Sequence, residues 1–542
     1  MSHPYSRQAL ISGTKKFLSG KVISALLTLG ILLVTVRLLP VTEYGAYVTL
    51  LAMTEIGRSL AQLGLAWLTA RQLPEYRLKA DGPRLIRFCR RVVAWQSAAL
   101  IACALLFAVL MDAYLNWAGL QAFRPAALVF LGVFLVEGVG RFLREAVLGP
   151  LVLQGGIRAS MVGRQMLYLI ALLALWRFAP SDASQSTAAF LSGFMPGFLT
   201  EASSALTQPG AGLFAVVLIE LTASAFGTLV ALACLVRFCR SMRGLQGEAG
   251  WTEPSIRQQW WLSLHMYFAH LLTLLYSPQA LVNLLQKYLG PEASAIFGFL
   301  RTLNDQIARY LPASLLFSLI RPKLVAVYVN GGGTSELSRL TNSAGKVSLV
   351  ILLPLVSVAA VFGDELIQLI SGGKFSDSGY LFFGFLLCLI PYSQRLLLET
   401  AAVTLDQANL CKWGAALGLI TLPSLWGLLH LGFGVWAAVI AIGLGHVLFN
   451  SFIIAGLRRR CDYVFDWLNQ TKLILAMAVA IIPGAISPAV SVAVLGSSLI
   501  PMLGYSLLIV GAFVASVWLL RPFTAEETGL LKSLVKRGAR TA

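Results

Sequence analysis

Ala211-Gly-Leu-Phe-Ala-Val-Val-Leu-Ile-Glu220-Leu-Thr-Ala-Ser-Ala-Phe-Gly-Thr-Leu-Val230-Ala-Leu-Ala-Cys-Leu-Val236 is a run of 26 residues with one charged residue, closed by Arg237 and Arg240. A helix rising ~1.5 Å per residue needs about twenty apolar residues to cross a hydrocarbon layer ~30 Å thick, and this run exceeds that. It reads as a membrane-spanning helix.

Such runs recur along the chain. Of 542 residues, 42 are Lys or Arg and 24 are Asp or Glu, so 12% are charged, against roughly 25% in soluble proteins. Hydrophobic residues reach 57%, the mean hydropathy is +0.77, and no hydrophilic stretch is long enough for a separate globular domain. The composition predicts an all-α polytopic membrane protein. It excludes a disordered chain, a disulfide-stapled secreted fold and a soluble enzyme with one anchor. The seven cysteines form no CxxC pair and are expected reduced. Arg7, Lys15, Lys16 and Lys21 precede the apolar run Val22–Val36 without a small-x-small cleavage site, which reads as an uncleaved first span. In short membrane loops a net charge of +18 reports orientation, and no nucleic-acid partner is expected.

Charge, Gly and Pro bound about fourteen spans, near 20–39, 44–68, 92–111, 124–149, 157–178, 211–236, 259–285, 293–320, 347–362, 380–402, 412–430, 435–457, 473–495 and 498–520. With the N-terminus inside, 33 basic residues fall on cytoplasmic segments and five (Arg37, Arg124, Arg177, Lys287, Lys374) on outer ends. The positive-inside rule then places both termini in the cytoplasm. The segment 179–210 has no Lys or Arg, is rich in Ser, Ala, Pro and Gly, and follows six spans. It suggests an N-lobe over 1–236 (spans 1–6) and a C-lobe over 237–458 (spans 7–12), with an appended pair, spans 13–14, in 459–520. In the tail 521–542, Leu530, Leu531 and Leu534 interleave with Lys532, Lys536 and Arg537, the pattern of an amphipathic helix on the cytoplasmic lipid surface.

Gly372-Gly-Lys-Phe375 lacks the rest of a P-loop, no His/Cys/carboxylate set has metal-ligand spacing, and no GxSxG elbow stands near a His and an acid. No catalytic residue, cofactor or metal is expected. The informative residues are ionisable groups within spans, because a charge at the bilayer centre costs about 2.5–3.5 kcal/mol and must face protein or water. In span 8, Arg301, Asp305 and Arg309 recur at i, i+4 and i+8 and share one face with net positive charge. Span 2 carries Glu55 and Arg58 near mid-membrane, with Gln62 continuing the polar stripe. Span 10 carries Arg395 and Glu399, span 7 His265 and His270, and spans 4 and 6 Glu137 and Glu220. Arg395 with Glu399 reads best as an intrahelical pair bracing the bundle. Glu55 with Arg58 is open between bracing and binding. Two arginines around Asp305 leave a cation suited to an anionic ligand. The basic stretch Arg71–Arg91 is most simply a loop that signals orientation and attracts anionic headgroups.

Leu38-Leu-Pro-Val-Thr-Glu-Tyr-Gly-Ala-Tyr47, Leu63-Gly-Leu-Ala66 and Arg71-Gln-Leu-Pro-Glu75 resemble the opening of polysaccharide flippases, which move undecaprenyl-diphosphate-linked oligosaccharides. Leu289-Gly-Pro-Glu-Ala-Ser-Ala-Ile-Phe297, Leu311-Pro-Ala-Ser314 with Arg321-Pro-Lys323, and Phe362-Gly-Asp-Glu-Leu-Ile-Gln-Leu-Ile-Ser-Gly-Gly-Lys-Phe375 extend the likeness across most of the chain. These families belong to the multidrug/oligosaccharidyl-lipid/polysaccharide exporter superfamily. The appended spans 13–14 match the lipid II flippases, although span 1 lacks that branch's internal cations. The resemblance implies two six-helix lobes around a central cavity lined by helices 1, 2, 7 and 8.

A diphosphate with hydrophilic sugars cannot cross hydrocarbon unaided and needs a wet cavity with arginines for its phosphates. Arg58, Arg301 and Arg309 are the candidates for binding. Glu55 and Asp305 would hold them or take up protons, with Arg395 and Glu399 supporting. The resulting expectation is a non-enzymatic flippase of lipid-linked oligosaccharide in the bacterial inner membrane, serving O-antigen or exopolysaccharide export by alternating access. Membrane lipids, a polysaccharide polymerase and glycosyltransferases would be its partners. The rival transporter, a cation or drug antiporter, would prefer a carboxylate-dominated cavity. A membrane polymerase or ligase would present an outer loop bearing Arg or His, which 179–210 lacks.

Overall fold

The computed structural model describes residues 7–178, 210–248, 251–253, 255–315, 333–486, 499–524 and 527–528. Among the described residues every expected span falls largely on helix and no strand occurs, so the protein is an all-α polytopic membrane protein. The helices are α1 Arg7–Leu38, α2 Val41–Ala61, α3 Leu65–Lys79, α4 Gly82–Ala118, α5 Arg124–Phe142, α6 Gln154–Phe178, α7 Ala211–Ser241, α8 Ile256–Leu275, α9 Pro278–Leu289 and α10 Pro291–Tyr310. They continue as α11 Gly333–Ser371, α12 Gly379–Thr404, α13 Ala408–Leu417, α14 Thr421–His430, α15 Trp436–Cys461, α16 Trp467–Ile486 and α17 Leu499–Leu520. Among the described residues nine helical stretches are long and apolar enough to cross a membrane by themselves, and Val22–Leu38 and Trp467–Ile482 add two shorter ones. α2 carries Glu43, Glu55 and Arg58, and α10 carries Glu292, Arg301, Asp305 and Arg309. Both are helices whose polar faces need protein or water.

Three spans are broken where the sequence suggested continuity, and the third is span 8, where α10 stops at Tyr310 and Pro312 opens a separate helical turn. Span 2 stops at Ala61, because Leu63 (φ 45°) and Gly64 (φ 75°) adopt left-handed backbone before α3 begins. Gln96 donates to the Ala61 carbonyl at 3.1 Å and satisfies one acceptor freed by that break. Span 7 divides at Tyr276–Ser277, where the Ser277 hydroxyl accepts from Ala280 N at 3.3 Å and Pro278 opens α9. The basic stretch Arg71–Arg91 is helix and not the expected loop. α3 ends at Lys79, and Asp81 caps α4 by accepting from Arg84 N at 2.7 Å.

Packing groups the chain into two compact units, Met1–Phe299 and Leu300–Ala542. In the first, α5 packs on α7 and α4, α6 on α1 and α7, and α9 on α2. Side chains of Gly45 and Gly298 would collide with the Pro291 carbonyl and with Val48, so glycine permits the close approach of α2 and the start of α10. Gln286 fixes that approach: its Oε1 accepts from Thr49 at 3.2 Å and Ser294 at 2.6 Å, and its Nε2 donates to the Ala118 carbonyl at 3.2 Å.

In the second unit α11 packs on α12 and α16, α12 on α15, and α16 on α17. Lys346 of α11 is fully buried. It contacts Asp466 at 3.0 Å, Glu527 at 2.7 Å and the Pro522 carbonyl at 3.3 Å. Glu527 also accepts from Ser343 at 2.6 Å. The chain after α17 therefore turns inward to clasp α11. The amphipathic helix expected in 521–542 falls mostly outside the described residues, as do Arg321-Pro-Lys323 and nearly all of the segment 179–210.

Candidate functional site

Glu55 and Arg58 stand one turn apart on α2, Arg58 Nη2 lying 3.7 Å from Glu55 Oε1, and Gln279 of α9 donates to Glu55 Oε2 at 2.8 Å. The Arg58 side chain is 12% exposed, and its Nε has no hydrogen bond among the described residues. It lines a cleft of about 90 Å³ with Gln62, Gln96, Arg141 and Glu145. Gln96 is buried and its Oε1 is also without a hydrogen bond among the described residues. Arg141 and Glu145 pair at 3.0 Å. The cleft thus joins two guanidiniums to amides and a carboxylate.

Beneath it runs a buried chain of charge absent from the expected site. Arg144 pairs with Glu137 at 2.5 Å, Arg164 lies 3.2 Å from the other Glu137 oxygen and 3.4 Å from Glu220, and Tyr47 donates to Glu220 at 3.2 Å. Ser160 and Ser224 accept from Arg144 at 3.4 Å and from Arg164 at 3.1 Å. Two cations balance two anions, and hydroxyls satisfy the remaining donors, as burial of ion pairs requires. Arg144 lies in a π-helical turn, Leu143–Leu148, and its carbonyl accepts from Gly149 N at 3.1 Å. Arg144 faces Glu137 while the adjacent Glu145 faces Arg141. In the sequence Arg144 and Arg164 fell at the boundary of a short basic loop and counted as orientation signals. The spacing Glu137, Arg141, Arg144, Glu145, all within i+8 on one helix, was the available clue.

The second unit holds the other expected residues. Arg301 Nε lies 3.5 Å from Asp305 Oδ2, with side chains 13% and 44% exposed. Arg309, in the last turn of α10, is exposed and makes no ion pair among the described residues. Arg395 pairs with Glu399 at 2.8 Å and lies 4.1 Å above the Phe449 ring, an arrangement that braces α12 against α15. His270 packs edge-on against Trp67 at 5.9 Å within the first unit. The side chain of His265 lies outside the described residues. No group of three metal-ligating side chains occurs among the described residues.

No family model and no curated protein matches the sequence. Solved structures do. The lipid II flippase MurJ in an inward closed conformation superposes with a TM-score of 0.62 at 10% identity, over 93% of this chain and 98% of that one. An inward-facing multidrug resistance MATE family transporter of the MOP superfamily gives 0.54 at 13% identity, over 80% and 94%. The Vibrio cholerae MATE transporter VcmN gives 0.52 at 16% identity, over 83% and 98%. At these identities the likeness is one of fold, and it extends over 80% to 93% of this chain.

Proposed function

We propose that this protein is a flippase that carries a polyprenyl-diphosphate-linked oligosaccharide across the bacterial inner membrane by alternating access. Arg58, Arg301 and Arg309 would take the diphosphate, Glu55 and Asp305 holding them or exchanging protons. The observation that carries the reading is the cleft at Arg58. A guanidinium whose Nε donates no hydrogen bond among the described residues, beside Arg141, Gln62 and Gln96, suits a phosphate and hydroxyl-rich ligand better than an organic cation. A fold shared with a lipid II flippase supports a lipid-linked cargo. Sugar assembly by glycosyltransferases would precede this step, and a polymerase would follow it.

The antiporter reading has its own support in the MATE likeness and in the buried carboxylates Glu137 and Glu220. Proteoliposomes separate the two. The flippase reading expects protein-dependent passage of a fluorescent undecaprenyl-diphosphate oligosaccharide to the opposite leaflet and no pH-driven transport of ethidium. The reverse result would establish the antiporter. In cells, loss of the protein should trap lipid-linked repeat units on the cytoplasmic leaflet.

A further inference from the structure

α15 ends in Arg458-Arg-Arg460, and the chain turns through Asp462, with φ 53°, before α16 begins at Trp467. Because α16 packs on α11 and α17 while α15 packs on α12, the angle between the end of α15 and the start of α16 is open. It forms a groove of about 870 Å³. One wall is a single face of α15 at helical spacing: Ser451, Ile454 and Ala455, then Arg458 and Arg459. Phe465 and Trp467 line it beyond the turn. Arg460 donates to Gln407 at 3.1 Å, whereas Arg458 and Arg459 are exposed and make no hydrogen bond or ion pair among the described residues.

The groove is graded along its length. Eight residues separate Arg459 from Ser451, ~12 Å of helix at ~1.5 Å per residue, so one end is cationic and the other reaches into the apolar span. A soluble anion would occupy only the charged end. An amphiphile with an anionic head fills both. We propose that this groove binds an anionic phospholipid, its phosphate between Arg458 and Arg459, the half-exposed Trp467 ring at the glycerol level and an acyl chain along Ser451, Ile454 and Ala455. Asp462 at the rim reduces two positive charges to one and opposes the phosphate. At the junction of α15 and α16, the lipid would fasten the appended helices α16 and α17 to the body of the second unit.

Native mass spectrometry of the delipidated full chain, titrated with phosphatidylglycerol or phosphatidylcholine, tests this. Phosphatidylglycerol should bind the wild type in preference to phosphatidylcholine, and inorganic phosphate should not displace it. Arg458→Gln with Arg459→Gln should weaken binding roughly thirty-fold, at about one decimal order or less per guanidinium near a membrane surface. Lysine at both positions should preserve most of it, and Asp462→Asn should tighten it. Arg240→Gln with Arg243→Gln makes the same change in net charge at exposed sites of the first unit and should leave binding unaltered. Equal weakening by the two glutamine pairs would reduce the effect to general surface charge and overturn the site. Equal binding of phosphatidylcholine, or displacement by inorganic phosphate, would overturn the lipid as its occupant.

Discussion

Arg58 and Glu137 illustrate two opposite uses of buried charge. Glu137 touches both Arg144 and Arg164, so neutralising it leaves two guanidiniums inside the first unit facing one remaining acid, Glu220. Removing one partner from such a network costs about 3–5 kcal/mol, and Glu137→Gln should lower the amount of folded protein several-fold. Arg58, by contrast, has a long 3.7 Å contact to Glu55 and an Nε without a hydrogen bond among the described residues. Arg58→Ala should abolish export at near-normal abundance, and Arg58→Lys should rescue only partly, since a point charge cannot reproduce the bidentate fork. Export measured beside abundance for each variant decides the matter. Full export by an abundant Arg58→Ala protein would make the cleft structural. Arg301→Ala should resemble Arg58→Ala, because Asp305 is 44% exposed and its loss of partner carries little desolvation cost.

At the scale of elements, hydrophobic periodicity and length made the spans legible, since lipid imposes both on a helix. The breaks at Leu63–Gly64 and at Tyr276–Pro278 were not legible, because a left-handed residue or a Pro within an apolar run is compatible with either a kink or an end. Half of the candidate site was legible for the same reason. Glu55, Arg58, Arg301 and Asp305 interrupt apolar runs and stand out, whereas Arg144 and Arg164 lie beside a loop and read as surface charge until their partners on α5 and α7 are known. The clasp on Lys346 was likewise hidden, since its partners are 120 and 181 residues away. Burial pushes the Asp466 and Glu527 carboxyls up. Hydrogen bonds from Asn469 to Asp466 and from Ser343 to Glu527, together with Lys346, outweigh it and hold both below the usual carboxylate range. A depressed folded value stabilises above the ordinary carboxylate range and is lost as pH falls through it. Acidification below about pH 4 should therefore release the segment after α17. Protease cleavage near Phe523 should then appear in the wild type at acid pH and in Glu527→Gln at neutral pH. Equal protection of wild type and variant at neutral pH would show that the carboxylate does not hold the clasp.

For the whole molecule, transferring Arg144 and Arg164 from loop to buried network leaves 31 basic residues inside against five outside. The asymmetry that orients the chain survives, so a single cysteine at position 190 of a Cys-free protein should react with an impermeant maleimide in intact cells. Reaction only after the inner membrane is opened would invert the topology. The clasp also has a consequence in time. Lys346 leaves the ribosome with neither acidic partner made: Asp466 follows 120 residues later and Glu527 after 181. At ~5–20 residues per second the lysine waits on the order of ten to forty seconds for its second carboxylate. The second unit is thus assembled from both ends, and a chain interrupted in its last helix would present an ammonium held by Asp466 but lacking its shorter contact to Glu527, a half-made clasp that membrane quality control can read as unfinished synthesis.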